Sequence, residues 1–316
     1  MKIISAQQVH QNLNFVELVP LLKNSFSKPF HMPQRQVFSL APEDNDNHDA
    51  FALLPSWNDK VIGNKAFTYF PDNAAQHDLP GLFSKIMLFK RQTGEPLALV
   101  DGTSVTYWRT AAISALASQL LSKEDSQNMM LFGTGNLASY LVKAHLSVRN
   151  LKQITLWGRN SAKVNDLIGE FSALYPEITF KASVDISVEV TNADIICCAT
   201  GAKTPLFDGN LVSAGTHVDC LGNHMKDARE CDTTTVTRAR VFVDSLTNTL
   251  NEAGELLMPI AEGAFNKDDI VGELADMCRT PSLLRQSNDE ITLFKSVGTA
   301  ISDLVAAHRV VEKLAD

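Results

Sequence analysis

The sequence predicts an α/β protein with a Rossmann-type domain over residues 126–294. An α+β domain is built from residues 1–125 and the C-terminal helix within residues 295–316. Three observations predict this. Residues 30–104 carry short apolar or alternating runs separated by Pro, Gly, Asn and Asp, the pattern of strands joined by turns. From residue 128 the pattern becomes alternating strand and helix, which implies a parallel sheet covered by helices. The first strand-to-helix junction of that region reads G-x-G-x-x-A.

Taken in order, a helix is expected from Ser5 or Gln8 to Phe26, with Val16, Leu18, Leu21 and Leu22 as its apolar positions. Strands follow at 36–40, 50–55, 60–69, 84–89 and 96–101, with a hairpin turn at 92–95. The Ala- and Leu-rich segment 110–121 is a strong helix by propensity and connects the two domains. Further strands are expected at 129–132, 153–157, 178–181, 195–198, 216–221 and 240–243, and helices at 137–148, 161–174 and 298–314. The last helix is assigned to the first domain.

Composition bounds the function. A chain of 316 residues with 45% hydrophobic and 20% charged residues buries a full core in two domains. A net charge of −8 argues against nucleic acid as a partner. The opening MKIISAQQVHQNL is too briefly apolar for a signal peptide, and no stretch reaches the ~18 apolar residues of a membrane span. The five cysteines are odd in number and lack C-x-x-C spacing, so reduced thiols and a cytoplasmic location are expected. Cys197 and Cys198 lie in an apolar strand and read as buried small hydrophobes. His217, Asp219, Cys220 and His224 suggest a metal, but the strand sends Cys220 to the side opposite His217 and Asp219, so no metal is expected.

The glycine motif carries the first chemical assignment. Gly133 permits the tight turn, Gly135 lets the backbone approach a pyrophosphate, and Ala138 lets the helix pack on the sheet. Thr134, Asn136 and Leu137 complete a loop that leads to free N–H groups at a helix N-terminus. A nicotinamide dinucleotide is the expected ligand. NAD enzymes usually place an acid at the end of the second strand, but here Gly158, Arg159, Asn160 and, one turn on, Lys163 follow it. Arg159 suits a 2′-phosphate, so NADPH is preferred and NADH is the alternative. The plainer reading makes Arg159 and Lys163 solvated surface charges.

Over nearly its whole length the chain resembles the ornithine cyclodeaminase/mu-crystallin family. The resemblance rests on Pro33-Gln34-Arg35, the segment from Gly63 to Thr68 with Lys65, and the block Asp101-Gly102-Thr103…Thr106…Arg109-Thr110-Ala111-Ala112. It extends to the stretch from Gly222 to Glu230 and Asp232, and to Ser296-Val297-Gly298-Thr299-Ala300 with Asp303. It implies a nicotinamide cofactor, a small α-imino or α-amino acid substrate, and a homodimer joined through the first domain. It also implies substrate contacts from Arg35, Lys65 and Arg109, and cofactor contacts from Arg109, Thr110, Thr200, Leu221 and Ser296 besides the glycine loop. Lys65 is the expected proton donor or carboxylate anchor, because desolvation near other cations lowers a lysine's pKa.

Ornithine cyclodeaminases carry an aspartate where this chain has His224, and a histidine cannot replace an acceptor that holds a cationic amine. His224 is expected either to line the nicotinamide pocket and relay a proton, or to fill a loop. The expected activity is reduction of a cyclic imino acid, Δ1-pyrroline-2-carboxylate to L-proline. The alternatives are ornithine cyclodeamination or alanine dehydrogenation on the same scaffold, and a mu-crystallin-like binding protein.

Overall fold

The structure, a computed structural model, describes residues 1–40 and 49–315. The chain divides into two compact units, Met1–Thr110 with Thr299–Asp316, and Ala111–Gly298. The sequence pattern suggested cuts at 125/126 and 294/295. At the first cut the difference lies in one continuous helix, Gly102–Leu121, whose first half belongs to the first unit and whose second half belongs to the second; the second cut falls four residues later, at 298/299. That helix therefore begins eight residues before the position expected from its Ala- and Leu-rich part.

The first unit opens with β1 (Lys2–Ile4), α1 (Ala6–Asn12) and α2 (Phe15–Phe26). Two helices stand where one was expected. Leu13 is extended, with φ −111° and ψ 142°, and the Asn14 side chain caps α2 by accepting from Glu17 N at 2.9 Å. Restarting there sets a stripe of Phe15, Leu18, Val19, Leu22 and Phe26 inward and leaves Val16 74% exposed. The unit continues with β2 (Gln36–Ser39), β3 (Ala50–Trp57), β4 (Val61–Tyr69), the one-turn α3 (Asn73–Gln76), β5 (Leu82–Lys90), β6 (Pro96–Asp101) and α4 (Gly102–Leu121). Gly94, at φ 71°, makes the turn between β5 and β6.

These strands form one sheet in the order β1-β6-β5-β4-β3-β2, antiparallel except where β1 meets β6. Alternation sends Ala52, Leu54, Val61, Gly63, Lys65, Ile86 and Leu88 to the buried face. The C-terminal helix, Ala300–Lys313, packs on β3, β4 and α2. A Cβ at Gly63 would strike the Leu304 side chain, so the glycine sets how closely that helix approaches. Lys65 is the one charged residue that β3, β4 and β5 bury on this side. The other face carries Phe51, Leu53, Phe83, Met87 and Leu99, all partly or well exposed.

The second unit runs β7 (Asn128–Phe132), α5 (Ala138–Leu146), β8 (Gln153–Trp157), α6 (Ser161–Leu174), β9 (Thr179–Ala182), α7 (Ile186–Asn192), β10 (Ile195–Cys198) and β11 (His217–Cys220). It continues with α8 (Thr233–Arg238), β12 (Arg240–Val243), α9 (Leu246–Glu252), α10 (Gly254–Ala261), β13 (Gly272–Glu273), α11 (Leu274–Arg279) and β14 (Thr292–Lys295). The strands form a single sheet of parallel pairs in the order β13-β12-β14-β11-β10-β7-β8-β9. The central strands β7 and β10 are near-continuous apolar runs because both faces are covered. The order reverses between β7 and β10, the switch point beside which nucleotides bind in doubly wound sheets.

Candidate functional site

Most of the expected cofactor residues fall along one edge of the second unit. Gly133–Leu137 follow β7, Gly158–Lys163 follow β8, Thr200 follows β10, Leu221 follows β11 and Ser296 follows β14. These are the carboxyl ends of five neighbouring strands. Gly133 has φ 117°, and a Cβ there would run into the Ala199 carbonyl. At Gly135 a Cβ would meet nothing within 4 Å, so the backbone faces open space. No side chain caps α5, whereas Asn160 caps α6 through Ala162 N and Lys163 N. A helix start without a side-chain cap, behind a glycine turn, fits a pyrophosphate at the positive end of the helix. The side-chain oxygen of Asn160 is thus occupied by capping. Arg159 and Lys163 are exposed and make no ion pair among the described residues.

The loops along this edge are held by buried acids. Glu230 accepts from Thr200 N at 2.6 Å, Thr200 Oγ1 at 2.9 Å and Gly222 N at 2.7 Å, stapling the loop after β10 to the loop after β11. Gly222 lies against the Thr200 backbone and has no room for a Cβ. Beneath the staple, Lys295 is fully buried, with Glu255 at 2.9 Å and the Asn223 carbonyl at 2.8 Å. Asp244 plays the same part for the segment after β14. Its Oδ2 accepts from Ser296 Oγ at 2.8 Å, Val297 N at 3.0 Å and Gly298 N at 2.6 Å. The Ser296 hydroxyl is therefore tied to Asp244.

In the first unit the expected substrate residues Lys65 and Arg109 meet at one carboxylate. Asp303 Oδ1, from the C-terminal helix, accepts from Lys65 Nζ at 3.0 Å and from Arg109 Nε at 3.1 Å. Asp303 Oδ2 is buried without a partner among the described residues. Lys65 Nζ also donates to Thr106 Oγ1 at 2.6 Å. The Thr106 hydroxyl is itself committed to the Gly102 carbonyl at 2.8 Å, so towards Lys65 it can only accept. Burial pushes the Lys65 amine down to about 8 from 10.5, and the charges of Arg109 and Arg35 add to this, against the pull of Asp303. Arg35 lies just before β2, half-buried. Thr106 and Asp303 stood in the recognised motifs, but nothing in the linear sequence marked them as partners of Lys65.

The remaining candidates lie elsewhere. Thr110 sits in α4 at the end of the first unit. His224 is exposed in the loop after β11, while its neighbour Asn223 is buried and bonds the Ala202 carbonyl at 2.6 Å. Asp219 comes together not with His217 but with His145 and Cys197, their ligand atoms all within 4.8 Å. The Ser114 hydroxyl lies among them, bonded to Asp219 Oδ2 and 3.0 Å from His145 Nε2. Burial pushes the His145 imidazole down to about 3, helped by Arg149, and pushes Asp219 up to about 7. The imidazole is therefore uncharged throughout the neutral range, while the Asp219 carboxyl changes charge within it. His217 Nδ1 lies 2.9 Å from Thr292 Oγ1.

Comparison with known proteins sharpens this picture. The model of the ornithine cyclodeaminase/mu-crystallin family matches residues 1–316. The chain is 84% identical over 316 residues to a Δ1-pyrroline-2-carboxylate reductase of Colwellia psychrerythraea, covering 100% of both chains. It is 38% identical over 254 residues to a Δ1-pyrroline-2-carboxylate reductase of Paracoccus denitrificans, covering 80% of this chain and 79% of the other. Among solved structures, Thermococcus litoralis Δ1-pyrroline-2-carboxylate reductase in complex with NADH and L-proline superposes with a TM-score of 0.92 at 29% identity. That match covers 100% of this chain and 98% of the other.

Proposed function

The chain belongs to the ornithine cyclodeaminase/mu-crystallin family, and on that premise we propose that it is a nicotinamide-dependent oxidoreductase that reduces Δ1-pyrroline-2-carboxylate to L-proline. The observation that carries this is the 84% identity with the Colwellia reductase over the full length of both chains. The reduced nicotinamide supplies a hydride to the imine carbon, and the protein supplies the proton that the ring nitrogen takes up.

Arg109 spends its Nε–H on Asp303 and keeps its two Nη groups for the substrate carboxylate, with Arg35 adding charge. Lys65 has three N–H groups in its ammonium form. Two are held by Thr106 and Asp303, and the third is the proton donor to the ring nitrogen. Cyclodeamination has no support at His224, where a carboxylate for a cationic amine would be needed.

The preferred cofactor is NADPH, with NADH also used. Arg159 and Lys163 support this, because they stand exposed beyond β8 where no acid is present to bind a ribose hydroxyl. The active form is a homodimer joined through the open face of the first unit's sheet. That face exposes Phe83 by 46% and Met87 by 40%, beside the partly exposed Leu99 and Phe51, apolar side chains that a second copy would cover. No helix among the described residues is long and apolar enough to cross a membrane. A cytoplasmic enzyme of proline metabolism accords with that.

The test is initial-rate absorbance at 340 nm with Δ1-pyrroline-2-carboxylate and either NADPH or NADH. Pyruvate plus ammonia, and L-ornithine with NAD+, are run in parallel. Rapid oxidation with the pyrroline alone supports the reading. Tight nucleotide binding without turnover on the pyrroline overturns it.

A further inference from the structure

We infer that Asp303 is a positioning residue for this reaction, aiming Lys65 and Arg109 at a single ligand through one carboxylate oxygen. The inference rests on the reading of Lys65 as the proton donor.

The geometry follows from valence. Lys65 reaches Asp303 from β4 and Arg109 reaches it from α4, while Asp303 is presented by the C-terminal helix. An ammonium nitrogen is tetrahedral, with one bond to Cε and three to hydrogen. Once Thr106 and Asp303 have taken two of the N–H directions, the third is fixed in space. Without Asp303, Lys65 would turn about its Cε–Nζ bond and its four-carbon stem, and the donor would lose its aim. For Arg109, tying Nε to the same oxygen fixes the plane of the guanidinium, and the Nη fork with it. Asp303 is 1% exposed, so this ion-pair cluster is shielded from water and competing ions.

The same carboxylate also sets the charge of the donor. Lys65 is buried next to Arg109, with Arg35 adding repulsion, and Asp303 is the group that opposes these effects. Removing its charge leaves burial and two cations acting together, all favouring the neutral amine. A neutral amine cannot pass an ammonium proton to an imine. Asp303 therefore has two effects that a merely structural residue does not: it holds direction, and it holds the proton on Lys65 through the neutral range.

The experiment is the pH dependence of kcat/KM for pyrroline reduction from pH 6 to 10 in the full-length wild type, Asp303→Asn, Asp303→Glu and Lys65→Ala. Protonation of the substrate affects every profile alike, so differences between variants report the enzyme. NADH binding by fluorescence and the circular dichroism spectrum establish that each variant is folded. The expected result is a wild-type rate that falls above about pH 8, the value set for Lys65. Asp303→Asn should move that limb down by about one unit or more, about a fivefold loss at pH 8 that approaches tenfold well above it, beyond any uniform loss. Asp303→Glu should restore the position of the limb while kcat stays low, because it restores the charge but not the aim. A limb that stays near pH 8 in Asp303→Asn, whether the rate is unchanged or uniformly lowered, overturns the inference. If Asp303→Asn does not fold, a limb displaced in Asp303→Glu overturns it instead. Full activity in Lys65→Ala would remove the proton donor itself, a separate failure from that of Asp303.

Discussion

Replacing Glu230 by Ala would open the staple between the loops after β10 and β11. Two backbone N–H groups, of Thr200 and Gly222, and one hydroxyl would lose their acceptor at a carboxylate that is fully buried. Leaving a buried donor unpaired costs about 1–3 kcal/mol. The two backbone groups alone therefore set a loss of roughly 2–6 kcal/mol, the lower end applying where water enters the hole left behind. For a unit of this size each kcal/mol moves Tm by about 2–4 °C, so a fall of roughly 10 °C is expected. Thr200 and Leu221 also lie along the cofactor edge, so NADH affinity should weaken together with stability. Glu230→Gln keeps one oxygen as an acceptor but turns an NH2 towards a donor, and should fall between wild type and Ala. Calorimetry of the second unit's transition, with and without NADH, measures both effects. An unchanged Tm and an unchanged NADH Kd in Glu230→Ala would show that the staple does not hold the loops, and the account of the cofactor edge would be wrong.

Other outcomes follow from the same geometry. Lys65→Ala should lower kcat by about 10²–10⁴-fold while NADH binding persists, and retained turnover would remove Lys65 from the reaction. In the wild type, activity should drop tenfold per pH unit above about 8, because the donor must be protonated. Folding stability should move the other way over that range. Between about 8 and 10.5 the unfolded chain holds a proton on Lys65 that the folded chain has lost, so stability rises with pH there. Arg159→Ala should raise KM for NADPH by about tenfold or more, given ~1.5–3 kcal/mol for a charged hydrogen bond, and leave KM for NADH within twofold. Equal effects on the two cofactors would refute NADPH selection by Arg159. Met87→Glu, in the middle of the open apolar face, should shift sedimentation from dimer towards monomer; an unaltered dimer would place the interface elsewhere.

Long periodic elements were legible in the sequence, and so was the glycine turn. The helix Ser161–Leu174 and the strands Gln153–Trp157, Ile195–Cys198 and Arg240–Val243 have the bounds that their apolar patterns imply. The short elements were not legible. β13 is two residues long, and α8 and α11 are six each, lengths at which no periodicity can declare itself. The break at Leu13 was hidden because apolar residues continue on both sides of it, and only the Asn14 cap tells the helices apart. Lys65 and Arg109 were readable from their motifs. Their meeting at Asp303, 238 residues from Lys65 in sequence, is a tertiary fact that local patterns do not carry. The same holds for Asp219, whose neighbours in space are His145 from α5 and Cys197 from β10 rather than the histidine two positions before it.

The most direct test of the central claim follows the hydride itself. The enzyme would be incubated with Δ1-pyrroline-2-carboxylate and NADPH or NADH carrying deuterium on the transferring face of nicotinamide C4, and the product examined by NMR and mass spectrometry. The expected product is L-proline with one deuterium, placed on Cα. Unlabelled proline, or oxidised cofactor with no proline at all, would contradict the claim.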